Sequence, residues 1–282
     1  MLIIAIKRVR SKPINYGIPV VSIGNIIVGG SGKTPFSIKL ARRYENVAVI
    51  LRGYGRESKG LFVVSKNGEI LTDVKTSGDE AMLLAKFLPK ATIIVCEDRK
   101  KAILKAKELG CKLVLLDDGF SKYDIDKFDI LLRPKKEPTN LFCLPSGGYR
   151  EPKMAYSFAN LVFQEDIDFI REVSFSKDNK IIEELPKKLL FITAISKPKR
   201  VLEFLPENTK MCAFEDHHNF TKEEMDTIKS DYEDYNFITT QKDFVKLKKY
   251  NLDNLYLMNL ELSVDNEKLK VIDEYIKNYK IN

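Results

Sequence analysis

Residues 20–35, VVSIGNIIVGGSGKTP, run from an aliphatic strand through a glycine-rich loop into the start of a helix. Gly29, Gly30 and Gly32, with Ser31 among them, allow a tight turn that aims backbone N–H groups inward. Lys33 follows where an ammonium reaches the β- and γ-phosphates of a nucleotide, and Thr34 offers a hydroxyl to Mg²⁺. The helix that begins at about Thr34 turns its positive dipole end toward the same anion. One slot departs from the strict G-x-x-x-x-G-K-[ST] form, because Ile27 stands where a small residue is usual. A glycine-rich turn without a ligand is the competing reading; the order strand, loop, Lys-Thr, helix favours a phosphate cradle.

Outward from this loop, short aliphatic runs alternate with helical stretches, the pattern of βαβ units building a parallel sheet. Strands are expected near 47–51, 92–96, 113–116 and 130–132, with helices near 34–44, 79–87 and 99–109. A β-hairpin is expected around Asn67-Gly68, the favoured two-residue turn. The Pro- and Gly-rich stretch 133–152 breaks the alternation and reads as functional loop. A polar segment, 174–188, reads as linker. A second series then follows, with strands near 189–194, 210–214, 237–240 and 255–262 and helices near 198–205, 221–230, 241–249 and 265–279. Thr221 and Glu224 have the spacing of a capping box.

The 282 residues, 44% of them hydrophobic, suffice for two ordinary domains. The net charge of +7 is uneven: residues 1–60 hold eleven Lys and Arg against Glu45 and Glu57, so the rest is net negative. A basic end that contains the phosphate loop points to anionic partners, either nucleotide alone or nucleotide plus an anionic membrane surface. Nucleic acid is not expected, since no recognition-helix, RNP or zinc-finger pattern accompanies the charge. Cys96, Cys111, Cys143 and Cys212 are widely spaced, which fits neither a disulfide framework nor a zinc site and suits a reducing compartment. The apolar run at 2–6 is too short to span a bilayer; with Lys7, Arg8 and Arg10 behind it, an interfacial stub and a plain first strand are both open.

Further residues carry chemistry. The aliphatic strand at 113–116 ends in Asp117-Asp118-Gly119, a Walker-B-like arrangement suited to Mg²⁺, though ordinary turn chemistry also ends strands this way. Asp79 opens a helix, where capping is the competing role. Arg52 ends the second strand and Arg99 opens the helix after the 92–96 strand, both able to clamp phosphate. The flexible Gly-Gly before Tyr149, Arg150 and Glu151 makes a candidate substrate loop. His217 and His218 are the only histidines and follow Asp216.

Together the stretches SIGNIIVGGSGKTP, LRGYGRES, SGDEAMLLA, VCEDRKKA, LVLLDDGF, LPSGGYREP, FEDHHNF and ITTQKDFVKL, in this order, resemble the tetraacyldisaccharide 4′-kinases, which phosphorylate the lipid A precursor. The resemblance implies a P-loop NTPase-like α/β/α sandwich with a second, smaller α/β/α domain, a short β linker and a cleft between them. In this chain that means a kinase domain over 1–165, a linker over 166–188 and a closing α/β domain over 189–282. It implies ATP and Mg²⁺ as cofactors, with Lys33 and Thr34 on phosphate and metal and Asp117 and Asp118 on the metal side. It implies Asp79 as the catalytic base, paired with His217, and a site peripheral on the cytoplasmic face of the bacterial inner membrane. Two departures are visible: Phe120-Ser121-Lys122 replaces the family's Gly-[Leu/Phe]-Gln-His continuation, and about eighteen residues precede the first core strand where the family usually has a longer amphipathic segment. The expected reaction moves the γ-phosphoryl of ATP to the 4′-hydroxyl of an acylated glucosamine disaccharide 1-phosphate. A P-loop switch or metal-delivering GTPase is the alternative, but N-K-x-D and a His/Cys cluster are both missing.

Overall fold

Val20–Gly24 (β1), Val47–Leu51 (β2) and Leu113–Asp117 (β6) are buried at every position, as strands covered on both faces must be. The computed structural model describes residues 11–29, 31–195, 197–216 and 218–279. Among these, β1, β2 and β6 join Phe62–Lys66 (β3), Glu69–Ile70 (β4), Thr92–Val95 (β5), Phe128–Arg133 (β7) and Leu161–Gln164 (β8) in one sheet, ordered β4-β3-β5-β2-β6-β1-β7-β8. Pairing is parallel from β5 through β8, and β3 and β4 add an antiparallel edge. The β3–β4 turn puts Asn67 at φ 50° and Gly68 at φ 84°, the two positive values that an Asn-Gly hairpin needs.

From β1 the chain crosses over helix α1 (Lys33–Ala41) to β2, two places away, leaving a gap that β6 later fills. That is a topological switch point, where a doubly wound sheet opens a crevice at the carboxyl ends of its strands. Two short helices follow the hairpin, α2 (Val74–Ser77) and α3 (Asp79–Phe87). Helix α4 (Arg99–Glu108) covers one face, setting Ala102, Ile103 and Ala106 against Val20, Ala48, Ile50, Ile94, Val114 and Leu116. On α1, Phe36 meets Phe163 edge-on at 5.0 Å and Phe169 at 6.3 Å.

By internal contacts the chain divides into 1–170 with 262–282, and 171–261. The second unit builds on Phe169–Lys177 (β9), Lys180–Ile182 (β10), Leu189–Thr193 (β11), Lys210–Ala213 (β12), Asn236–Thr240 (β13) and Leu255–Val264 (β14), in the order β10-β9-β14-β13-β11-β12. Helices α5 (Lys222–Asp231) and α6 (Gln241–Leu247) accompany them, and α5 starts at the capping box of Thr221 and Glu224.

Three features differ from the sequence reading. The last helix, α7 (Asn266–Lys277), belongs to the first unit, although 189–282 reads as one continuous second domain. Its Tyr275 ring lies 4.9 Å from Phe128 and its hydroxyl donates to the Val20 carbonyl at 3.3 Å, while Asp273 accepts from Arg43 and Tyr44. The polar segment for which no strand was named carries an antiparallel hairpin of β9 and β10. The helix expected at 198–205 is two 3₁₀ turns, Pro198–Arg200 and Leu202–Phe204; the Pro at 206 leaves too little chain for a stable α-helix.

Candidate active site

The phosphate loop is shaped around Asn25. Its buried side chain donates to the Ile27 carbonyl at 2.8 Å and accepts from Lys33 Nζ at 3.0 Å, so one amide both folds the loop and aims the lysine. Gly29 at φ 99° and Gly32 at φ 85° take conformations closed to most side chains, and Gly32 caps α1 without a side chain in the way. Gly30 lies outside the described residues. Thr34 is the second residue of α1 and half-buried. Ser31 is buried, and its hydroxyl has no hydrogen-bond partner among the described residues. A buried polar atom without a partner costs free energy unless something else supplies one.

Beside the loop, β6 delivers Asp117 and Asp118. Asp118 sits at φ 54°, a left-handed turn that is rare for a residue with a side chain, and its N–H donates to the Ile23 carbonyl of β1 at 2.9 Å. Its carboxylate lies 3.8 Å from Lys33 Nζ and accepts from Arg150 at 3.2 Å. Asp117 is buried, with Ser37 Oγ 3.4 Å from its carboxylate. Burial, then the charge of Glu80, push its carboxyl up to about 7 against the pull of Lys33 and Arg99. These oxygens are hard ligands crowded with negative charge, so the donor set fits a divalent cation shared with phosphate oxygens. Among the described residues no group of three or more His, Cys, Asp or Glu would hold a metal by itself, and Mg²⁺ in nucleotide sites needs no such cage.

Asp79 and Glu80 form the first turn of α3, Asp79 being buried and Glu80 half-buried. A Cβ on Gly78, at φ 82°, would lie 3.2 Å from the Tyr54 carbonyl, so the start of α3 closes on the loop after β2. In that loop the Arg52 guanidinium lies 5.1 Å from the centre of the Tyr54 ring.

The substrate residues expected from sequence divide in two. Arg52 and Arg150 are exposed, and Glu151 is half-buried, accepting from the Tyr123 hydroxyl at 2.9 Å. Arg99 is 3% exposed and donates to the carbonyls of Cys96 at 2.7 Å and Asp117 at 3.1 Å, so it ties the ends of β5 and β6 together and does not face solvent. Tyr149 is fully buried, bridging Ile27 in an antiparallel ladder; Gly148 and Arg150 likewise bond the loop backbone at Val28 and Ile26. Asn25 and Glu80 carry roles that the sequence reading did not assign. The signal for Asn25 was one amide inside an apolar run.

In the second unit, His217 lies outside the described residues. His218 stacks on Phe214 at 4.8 Å and pairs with Glu224 at 2.9 Å, which makes it part of the start of α5.

A phosphate loop at a switch point, its lysine shared with a carboxylate at the end of the neighbouring strand, defines a protein of the P-loop nucleotide-binding class. Residues 2–277 match the model of the tetraacyldisaccharide-1-P 4′-kinase family, and the chain belongs to that family. It is 62% identical over 281 residues to a tetraacyldisaccharide 4′-kinase of Aliarcobacter butzleri, covering 99% of this chain and 89% of that one. With a Helicobacter pylori protein of the same name it shares 46% identity over 281 residues, 99% of this chain and 87% of that one. The crystal structure of LpxK from Aquifex aeolicus, described as an "apo" form in complex with ATP, matches with a TM-score of 0.74 at 28% identity, covering 98% and 95% of the two chains. A nucleotide switch or metal-delivering GTPase is not favoured by these relatives.

Proposed function

We propose that this chain transfers the γ-phosphoryl group of ATP to the 4′-hydroxyl of an acylated glucosamine disaccharide 1-phosphate, giving the bis-phosphorylated lipid A precursor. The observation that carries it is Lys33, held between Asn25 and Asp118 at the mouth of the glycine loop and ready to exchange them for phosphate oxygens. Phosphoryl transfer asks mainly for positioning and for offsetting charge on the equatorial oxygens. Lys33, the loop N–H groups and the positive end of α1 supply both. Asp79 accepts the proton of the 4′-hydroxyl as its oxygen bonds to phosphorus and ADP departs, and His217 is kept as the residue that orients it.

Thr34, Asp117 and Asp118 would hold Mg²⁺, whose chemistry is to neutralise charge on the β- and γ-phosphates. Arg52 and Arg150 are proposed to meet anionic groups of the acceptor, with Glu151 beside them, while Arg99 and Tyr149 position the strand ends and the loop. The acceptor is a lipid, so an anionic membrane surface on the cytoplasmic side is the proposed place of work. No helix among the described residues is long and apolar enough to cross a membrane, which leaves peripheral contact as our reading.

Purified protein incubated with Mg-ATP and detergent-dispersed acceptor should yield a product heavier by one phosphate. ATP turnover that ignores the acceptor would overturn this reading in favour of a switch.

A further inference from the structure

The turn that leads into Tyr149 displays carbon to solvent. Leu141, Phe142 and Leu144 are 63%, 71% and 57% exposed, while Cys143 between them packs inward against the cluster of Ile26, Ile27, Phe120 and Tyr149. Single exposed apolar residues are ordinary, but three within four positions on one turn are not. Met154, on the 3₁₀ turn Lys153–Phe158 whose Ala155 joins the same cluster, is 56% exposed.

The turn is also stiff. Asn140 accepts from the Phe142 N–H and donates to the Ser146 carbonyl, both at 2.9 Å, and the Leu144 N–H donates to the Tyr149 carbonyl at 2.7 Å. A Cβ on Gly147 would lie 2.1 Å from the Phe142 carbonyl oxygen, so the two strands of the turn touch. Below it, the Val28 N–H donates to the Gly148 carbonyl at 2.9 Å, fastening the turn to the phosphate loop. The segment that carries the tip is net positive: residues 133–154 hold Arg133, Lys135, Lys136, Arg150 and Lys153 against Glu137 and Glu151, with Arg133 and Lys153 paired to Glu137, Lys135 to Asp166 and Arg150 to Asp118, and with Lys136 exposed.

We propose that Leu141, Phe142 and Leu144 are a wedge that enters the hydrocarbon boundary of an anionic phospholipid leaflet, with Lys136 and its neighbouring cations at headgroup level. The inference rests on the reading that the acceptor is a membrane-resident glycolipid. Apolar side chains beside cations bind such interfaces through buried area plus attraction to anionic lipid. A turn already ordered by its own hydrogen bonds loses little freedom on insertion. Because it is bonded to Val28, the wedge would set the phosphate loop at a fixed height over the leaflet from which the acceptor hydroxyl is presented.

The chain contains no tryptophan, so Phe142→Trp makes a lone reporter at the tip. The full-length protein, without nucleotide or acceptor, is mixed with vesicles of phosphatidylethanolamine and phosphatidylglycerol, with phosphatidylcholine vesicles as the neutral arm. On the anionic vesicles the emission is expected to shift to the blue and to be quenched by lipids brominated on their acyl chains. Replacing Leu141, Phe142 and Leu144 together by Ser should weaken vesicle binding on the order of 10³-fold, at about tenfold for each large apolar group withdrawn. Phosphorylation of detergent-dispersed acceptor and the thermal midpoint should be unchanged.

An unshifted, unquenched indole on vesicles that bind the protein overturns the wedge, as does a triple-serine variant that binds like the parent. A variant that keeps vesicle binding but raises KM for the dispersed acceptor also overturns it, assigning the patch to the acceptor's own acyl chains. So does loss of a concentration-dependent dimer without loss of vesicle binding. If no phosphate is transferred in detergent, the kinase reading fails while the vesicle arm still decides the wedge.

Discussion

The Lys33 side chain is 17% exposed, with its ammonium 3.0 Å from the Asn25 amide oxygen and 3.8 Å from the Asp118 carboxylate, so its removal should subtract charge more than packing. We expect Lys33→Ala to lower kcat on the order of 10³-fold or more with the thermal midpoint nearly unchanged, measured by phosphate transfer to dispersed acceptor. Near-normal turnover would remove the nucleotide assignment. Asp79→Asn preserves size and removes the proton acceptor; kcat should fall steeply with ATP affinity little changed. If turnover survives, the hydroxyl is activated elsewhere, most simply by a β6 carboxylate. That the glycines, Lys33 and the carboxylate pair lie together was legible because a turn at positive φ and a strand-to-helix loop restrict which residues stand there. The burial of Arg99 and Tyr149 was not legible for a physical reason: a guanidinium or phenol beside a strand end has the same sequence whether it reaches outward or packs into its own fold. Glu80 was hidden because its effect on Asp117 depends on how α3 packs near β6.

At the scale of elements, one carboxylate of α7 fastens it to the turn that follows α1. Asp273 accepts from Arg43 Nε at 3.0 Å and from the Tyr44 hydroxyl at 2.7 Å, and the Arg43 hydrogen bond holds its carboxyl below the usual range. A lowered folded pKa means stability that is fully present above the unfolded carboxylate value, near 3.9, and lost as pH falls through the folded value. Asp273→Asn should therefore cost about 1 kcal/mol at neutral pH, the pair being one-third exposed and screened, and the gap to the parent should close in acid. Denaturant titrations at several pH values would test this. His218 belongs to the start of α5, between Phe214 and Glu224. His218→Ala should lower stability by about 1–2 kcal/mol while leaving kcat alone at permissive temperature. Runs such as Val47–Leu51 announced themselves by continuous branched aliphatics. β9 did not: beyond Phe169-Ile170 its apolar residues, Val173 and Phe175, stand singly among polar ones, and one half-wet face looks like a linker until its partner strand is known.

Over the whole molecule, the first unit owns both ends of the described chain, and 171–261 is inserted into it. A truncation that removes α7 should strip Leu269 and Ile272, both buried, from the first unit and leave the β11–β13 core intact. Hydrogen exchange would read it: amides of β1 and β7 should lose protection and those of β11 and β13 should keep theirs. Equal loss in both would mean that the units do not hold their own cores. Position in sequence concealed this arrangement, since the hydrophobic stripe of α7 does not name the sheet that it covers. The same layout gives the protein an order of birth. The strand that begins the phosphate loop leaves the ribosome 255 residues before the tyrosine whose hydroxyl bonds the Val20 carbonyl. Roughly ninety residues of the inserted unit come between, about 5–20 s of synthesis, so the nucleotide half must wait unfinished while a later-made neighbour folds.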